Sequence, residues 1–148
     1  MRVLVVNGPN LNLQGQRQPE IYGTVTLDDI NARLTARGRE LGVEVVAYQS
    51  NSEGALIDFI QAQAPTADAI IINPGALTHY GLSLRDCIAA IEIPVIEVHL
   101  SNIYAREPFR RRSVIAPVAH GQISGLGWRG YVLALESFFL TFESQRQA

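Results

Sequence analysis

The residues of this chain that could move a proton or hold an anion are mostly tyrosine, histidine and arginine. Arg17 and Tyr22 share one polar stretch, Asn7 to Gly23. A free phenol titrates near 10, so a phenolate at neutral pH needs a shift of ~3 units, about 4 kcal/mol. Nearby guanidinium groups favour the ionised form, whereas burial alone opposes it. Taken by themselves, the two residues are better read as a packed ring and a solvated arginine. Glu97 and His99 stand two apart, so on a strand both side chains point the same way. A carboxylate beside an imidazole orients it and favours its protonated form, which suits a general acid. In Asn73-Pro74-Gly75-Ala76-Leu77-Thr78-His79, the Asn73 amide could face a cleft. Pro-Gly there offers a turn that lets backbone N–H groups approach a ligand. His79 could bind that ligand or simply cap the next helix. Among Arg106, Arg110, Arg111 and Arg112, one aimed inward would grip a carboxylate with two parallel hydrogen bonds. A solvated basic face or a subunit contact accounts for the others. Asp86 could pair with Arg17 or Arg110, or only offset the dipole of its own helix. His79, Glu97 and His99 could supply a few zinc ligands, but without a compact ligand motif the zinc reading is the weaker one. Cys87 reads as core, Trp128 and Tyr131 as packing for the last helix, and His120 receives no role.

These residues need a scaffold that brings distant segments together. Four unbroken runs of branched apolar residues, Arg2–Val6, Val43–Ala47, Ala69–Asn73 and Pro94–Val98, fit strands covered on both faces. A weaker fifth run is Ser113–Val118. Helical spacing lies between the runs. Leu27, Ile30, Leu34 and Leu41 share a face behind a capping box of Thr26 and Asp29. The next helix follows Ser50–Glu53, carries Leu56, Phe59 and Ile60 and ends by Pro65. Another starts at Ser83 with Asp86 in its first turn, and the last runs from about Gly130 to Ser144. Alternation of this kind predicts an α/β fold, flavodoxin-like, with a doubly wound five-stranded parallel sheet in a single domain spanning residues 1–148. Right-handed crossovers put the carboxyl ends of all parallel strands on one edge. The loops Asn7–Gly23, Asn73–Ser83 and His99–Arg112 then meet there, the first long enough to serve as a lid with Gly15 and Gly23 as hinges.

Composition narrows the chemistry further. The chain has 148 residues, 47% of them hydrophobic and 18% charged, a globular balance with enough length to bury a core. A net charge of −2 gives no reason to expect nucleic acid or an anionic membrane as partner. No apolar run reaches the ~20 residues of a membrane span, and the apolar start is shorter than a secretory signal needs. With one cysteine there is no internal disulfide, and the expected compartment is the cytoplasm. All twelve basic residues are arginine. The absence of lysine removes Schiff-base catalysis, lysine-bound pyridoxal and the phosphate-loop lysine together.

Several segments together resemble type II 3-dehydroquinate dehydratases: Asn7-Gly8-Pro9-Asn10-Leu11-Asn12-Leu13, Arg17 through Tyr22-Gly23, Asn73-Pro74-Gly75-Ala76 with Thr78-His79, Leu84-Arg85-Asp86, and Glu97-Val98-His99-Leu100-Ser101-Asn102. The likeness continues through Ala105-Arg106-Glu107-Pro108-Phe109-Arg110 and from Gly125 to Leu135. It covers almost the whole chain in matching order, and it reverses the bland reading of Arg17 and Tyr22. The resemblance implies anti elimination of water from 3-dehydroquinate through an enolate, with no cofactor and no metal. It implies Tyr22 as base, Arg17 as the lid residue that favours the phenolate, and His99 steered by Glu97 as acid. Asn10 would help to hold the enolate side. Asn73, His79, Arg110 and the backbone at Leu100 and Ser101 would bind substrate, and Asp86 would reach a site across a subunit boundary. The family assembles as trimers grouped into dodecamers, so a homododecamer is the expected state. Tyr80-Gly81 stand where the family has Thr-Ser, Gln18 where it has Glu, and Tyr104 and Arg112 where it has His.

Two rivals differ in what they would show. A related dehydratase acting on another hydroxy-keto acid would use Tyr80 to reshape the pocket. A flavodoxin-like binding or signalling domain would carry an acidic cluster after its first strand and a lysine after its last, or hold flavin and be yellow; Asn7 occupies the acidic position here.

Overall fold

Branched residues in β1 (Arg2–Asn7), β3 (Ala69–Asn73) and β4 (Val95–His99) are buried almost without exception, the signature of strands sandwiched between two helical layers. The structure is a computed structural model that describes all 148 residues. Its remaining elements are α1 (Pro19–Tyr22), α2 (Leu27–Leu41), β2 (Glu44–Gln49), α3 (Glu53–Gln63), α4 (Leu82–Ala90), β5 (Gly121–Ser124) and α5 (Arg129–Gln147). The five strands are parallel in the order β2-β1-β3-β4-β5, a flavodoxin-like doubly wound sheet.

Alternate residues of each strand go to opposite cores. Val3, Val5, Ile71 and Val98 pack with Ile30 and Leu34 of α2 and with Tyr131, Leu135 and Phe138 of α5. Leu4, Val6, Ile70 and Ile72 pack with Leu56 and Ile60 of α3 and with Leu84 and Ile88 of α4. Each such fully buried aliphatic side chain contributes roughly 1.5–3 kcal/mol relative to exposure. The helix ends follow local chemistry. Thr26 Oγ1 accepts from the Asp29 N–H and Asp29 Oδ2 accepts from the Thr26 N–H, both at 3.1 Å, completing the expected capping box. Ser52 caps α3 by accepting from the Ala55 N–H at 3.3 Å. α3 ends at Gln63, and Pro65 sits in a 3₁₀ turn just beyond.

Three sequence expectations need correction. The fifth strand is Gly121–Ser124, and Ser113–Val118 forms no strand. The apolar run at 113–118 reflects burial of Ile115 against α3 and α4, with Val114 and Val118 alongside. β5, by contrast, has only Ile123 as a branched residue and leaves no apolar signature. The Asn7–Gly23 segment is not an unstructured loop: it contains a 3₁₀ turn at Leu11–Leu13 and the single-turn α1. Asp86 lies in the middle of α4, whose first turn holds no acid, so it does not serve the helix dipole.

Candidate active site

β1, β3 and β4 end in polar residues that their flanks do not have. Asn7 and Asn73 are register partners at the carboxyl ends of β1 and β3, and His99 ends β4. Asn7 and Asn73 are both buried, and a buried amide needs partners. Tyr131 of α5 supplies one to each: its phenol donates to Asn7 Oδ1 at 2.6 Å and accepts from Asn73 Nδ2 at 2.8 Å. Burial pushes the Tyr131 phenol far above its usual range, against a smaller opposing effect of the Asn73 hydrogen bond, so this hydroxyl stays protonated. Asn73 Oδ1 also accepts from the Gly75 N–H at 3.1 Å, which shapes the turn after β3. The loops after β1 and β3 touch backbone to backbone. The Gly8 N–H donates to the Asn73 carbonyl at 2.8 Å, and a Cβ on Gly8 would collide with the Pro74 carbonyl oxygen.

Beyond these strand ends lies a cavity lined mainly by polar and charged residues from the segments that follow β1, β3 and β4. Of the residues singled out from the sequence, Asn10, Arg17, Tyr22, Asn73, His79, His99, Leu100, Ser101 and Arg110 all line it. Glu97 and Asp86 do not. Glu97 lies fully buried behind His99, and Asp86 is exposed on α4. The pairing of Asp86 with Arg17 or Arg110 is absent: the carboxylate on Arg110 is that of Glu107, and no ion pair involves Arg17.

Tyr22 is half-buried at the end of α1, with its ring against the α2–α5 core. The guanidinium carbons of Arg17 and Arg106 each lie 5.0 Å from its ring centroid. Behind it, the buried Gln14 amide donates to the Tyr22 carbonyl at 2.6 Å. Arg106 also donates to Ser101 Oγ at 3.3 Å, and its Nε is buried without a hydrogen-bond partner. Across the cavity, His99 Nε2 lies 2.5 Å from Glu97 Oε2, and Nδ1 makes no hydrogen bond within the chain. Since an ionised carboxylate only accepts, Nε2 carries the proton between them. Burial pushes the Glu97 carboxyl upward, but hydrogen bonds from His99, Thr78 and Ser113, with the charge of His99, outweigh it and hold the carboxyl below its usual range.

His79 does not cap α4, whose N-cap is Gly81 without a side-chain bond. Its Nδ1 lies 2.8 Å from the Arg112 carbonyl, which can only accept, so Nδ1 is the protonated nitrogen and Nε2 is left for the cavity. The N–H groups of Leu100 and Ser101, immediately after β4, donate to nothing within the chain. Two adjacent free amides beside three arginines make a place for a carboxylate. Tyr80, the residue expected to reshape the pocket in one rival reading, is exposed outside it. No three His, Cys, Asp or Glu side chains converge as a metal-ligand set.

Sequence reasoning assigned no role to Gln14, Thr78 and Ser113, took Tyr131 for packing alone, and did not single Arg106 out from its neighbouring arginines. Arg106 was visible as one of four clustered arginines. The others have no local signal, since each meets its partner only through the fold.

Comparison with known proteins bears on what this cavity does. Residues 1–139 match the family model described as dehydroquinase class II. The chain is 66% identical, over 92% of its own length and 87% of the relative's, to a protein of Roseiflexus castenholzii named 3-dehydroquinate dehydratase. A protein of the same name from Pelotomaculum thermopropionicum is 58% identical over 93% of this chain and 95% of its own. Among solved structures, the type II dehydroquinase of Propionibacterium acnes superposes with a TM-score of 0.91 at 45% identity, covering 94% of this chain and 96% of that one.

Proposed function

The chain belongs to the class II dehydroquinase family, and on that premise we propose that it is a hydro-lyase converting 3-dehydroquinate to 3-dehydroshikimate and water. The observation that carries the reading is a tyrosine ring beside two guanidinium groups in the same cavity as a carboxylate-oriented histidine.

The Tyr22 phenolate takes the proton next to the ketone, and the electron pair moves into an enolate. Arg17 and Arg106 oppose the negative charge on the phenolate, and Asn10 helps to hold the enolate side. Collapse of the enolate expels the hydroxyl on the opposite face, an anti elimination. His99 donates the Nδ1 proton that turns the departing hydroxyl into water. For Nδ1 to carry that proton while Nε2–H is held by Glu97, the ring must be an imidazolium, and the Glu97 carboxylate supplies the countercharge. Asn73, Ser101 and the amides of Leu100 and Ser101 suit the substrate carboxylate. His79 Nε2 and the free nitrogens of Arg110 suit its hydroxyls. The reaction written this way uses the chain's own groups, with no cofactor or metal.

A homododecamer, built as four trimers, is the assembly we propose. Its support is that Asp86 is exposed away from its own cavity, while Tyr80, Leu82 and Phe109 leave large apolar side chains uncovered. The single cysteine, a free and buried thiol, suits a reducing compartment and supports a cytoplasmic enzyme. No helix is long and apolar enough to cross a membrane.

The test is incubation with 3-dehydroquinate while following the ultraviolet absorbance of the conjugated product. Tyr22→Phe keeps the ring and removes the base. It should lower kcat by at least about 10²–10⁴-fold, the usual contribution of an acid–base group, with an unchanged melting curve. No absorbance change with the wild-type chain would overturn the reaction, and near-normal turnover by the variant would overturn Tyr22 as base.

A further inference from the structure

Glu97 is the most deeply buried charge in the molecule, with nothing of it exposed to solvent. An isolated buried carboxylate would take up a proton, so its neighbours must supply the hydrogen bonds that water would otherwise make. Besides His99, two hydroxyls do so. Thr78 Oγ1 donates to Glu97 Oε2 at 2.5 Å. Ser113 Oγ lies 2.9 Å from Oε1 and 3.0 Å from Oε2.

The direction of the Ser113 bond is fixed by its other partners. Ser113 Oγ accepts from the N–H groups of Ile115 at 3.1 Å and Ala116 at 2.9 Å. Both lone pairs are thereby used, and its one proton goes to Glu97, whose oxygens are nearer than Thr78 Oγ1 at 3.5 Å. Thr78 and Ser113 also sit on segments bound to each other. The Val114 N–H donates to the Thr78 carbonyl at 2.7 Å, and His79 Nδ1 meets the carbonyl of Arg112, two residues before Val114. Fully buried Ile115 anchors the second segment between α3 and α4.

From this geometry we propose that Thr78 and Ser113 are positioning residues: they hold Glu97 negative and fixed, and Glu97 in turn holds the His99 ring with Nδ1 facing the cavity. Neither touches substrate. The proposal rests on the reading of His99 as acid, which it deepens by identifying what sustains that acid. Other groups around Glu97 do not compete for this role. His99 is the only titratable side chain bonded to it, and its register partners on the flanking strands are the neutral Ile72 and Gln122.

The sign of the effect follows. Activity needs both the Tyr22 phenolate and an ionised Glu97, so two protonations shape its acid limb, and each hydroxyl bond favours the ionised carboxylate. Removing one raises the carboxyl's proton affinity, so the pH at which activity is lost on acidification should move upward. Losing one hydrogen bond to a charged group corresponds to about one pH unit. Ser113→Ala and Thr78→Val, measured separately, should each displace the Glu97 step of the acid limb of kcat by about that much while leaving KM near its original value. Ser113→Thr, which restores a hydroxyl, should return the limb toward the wild-type position. The chain has only three histidines, so the His99 ring resonances can be followed by NMR without substrate. In both hydroxyl-free variants their response to Glu97 protonation should shift to higher pH, with His120 unaffected.

A lower kcat with an undisplaced acid limb and unmoved His99 resonances would overturn the proposal. So would an unchanged profile in both variants. Failure of the wild-type chain to dehydrate 3-dehydroquinate would strike the proposed reaction instead, and the NMR titration would still decide whether the two hydroxyls govern Glu97.

Discussion

Two tyrosines of this chain are put to opposite uses by their surroundings. Tyr131 has only neutral amides around its hydroxyl and stays a protonated donor. Tyr22 has two guanidinium groups against its ring and faces a cavity. What keeps Tyr22 there is partly Gln14, whose amide takes up a carbonyl at the end of the single-turn α1, where no helical partner is available. Gln14→Leu removes that bond at similar volume. Its loss should lower kcat by up to about tenfold, the kinetic equivalent of one net hydrogen bond. Because the effect falls on proton removal, the primary isotope effect with substrate deuterated beside the ketone should rise. An unchanged isotope effect would mean that Gln14 does not govern the placement of Tyr22. At this scale the sequence was informative where residue types carry the chemistry and silent where partners do. Arg17, Tyr22, Glu97 and His99 were visible as candidates, and the matching motifs decided among their readings. Gln14, Thr78 and Ser113 are ordinary polar residues until folding gives each one an acceptor.

Secondary elements were legible where runs of branched residues or local caps mark them. β1, β3 and β4 announce themselves because two helical layers demand branched residues at every position, and α2 because its capping box is local. β5 lies at the edge of the sheet and is half-exposed, so no such demand acts on it. Packing of buried Ile115, with Val114 and Val118 beside it, produced the same apolar run without a strand. That misplaced run is the segment that brings Ser113 beneath Glu97, so its apolar character serves the site indirectly. Contact between the loops after β1 and β3 is equally specific. Gly8→Ala would press a methyl group into the Pro74 carbonyl. Overpacking of this kind costs about 1–3 kcal/mol, and Tm should fall by roughly 2–10 °C for a domain of this size. Since Asn73 precedes Pro74, KM for substrate should rise as well. A melting curve that matches wild type would show that the two loops can separate freely.

For the whole molecule, charge is distributed unevenly. The chain carries a formal charge of −2, yet Arg17, Arg106 and Arg110 all face one cavity. An anionic substrate is therefore drawn to that edge of the sheet, and its association should slow as salt rises. Asp86 adds a test of assembly. In the proposed dodecamer it completes a neighbour's site, so Asp86→Ala should lower kcat/KM while light scattering still reports twelve times the 16.2 kDa of one chain. Full activity in a variant of unchanged mass would remove Asp86 from the site. A wild-type mass of one chain would remove the assembly itself.

The bridge from Asn7 through Tyr131 to Asn73 also has a consequence in time. Synthesis delivers Asn7 first, Asn73 much later, and Tyr131 after every other residue of the site. Until that phenol arrives, the strand ends that frame the cavity lack their shared partner. Nascent chains halted before residue 131 should therefore be inert, however much of the sheet they have already formed.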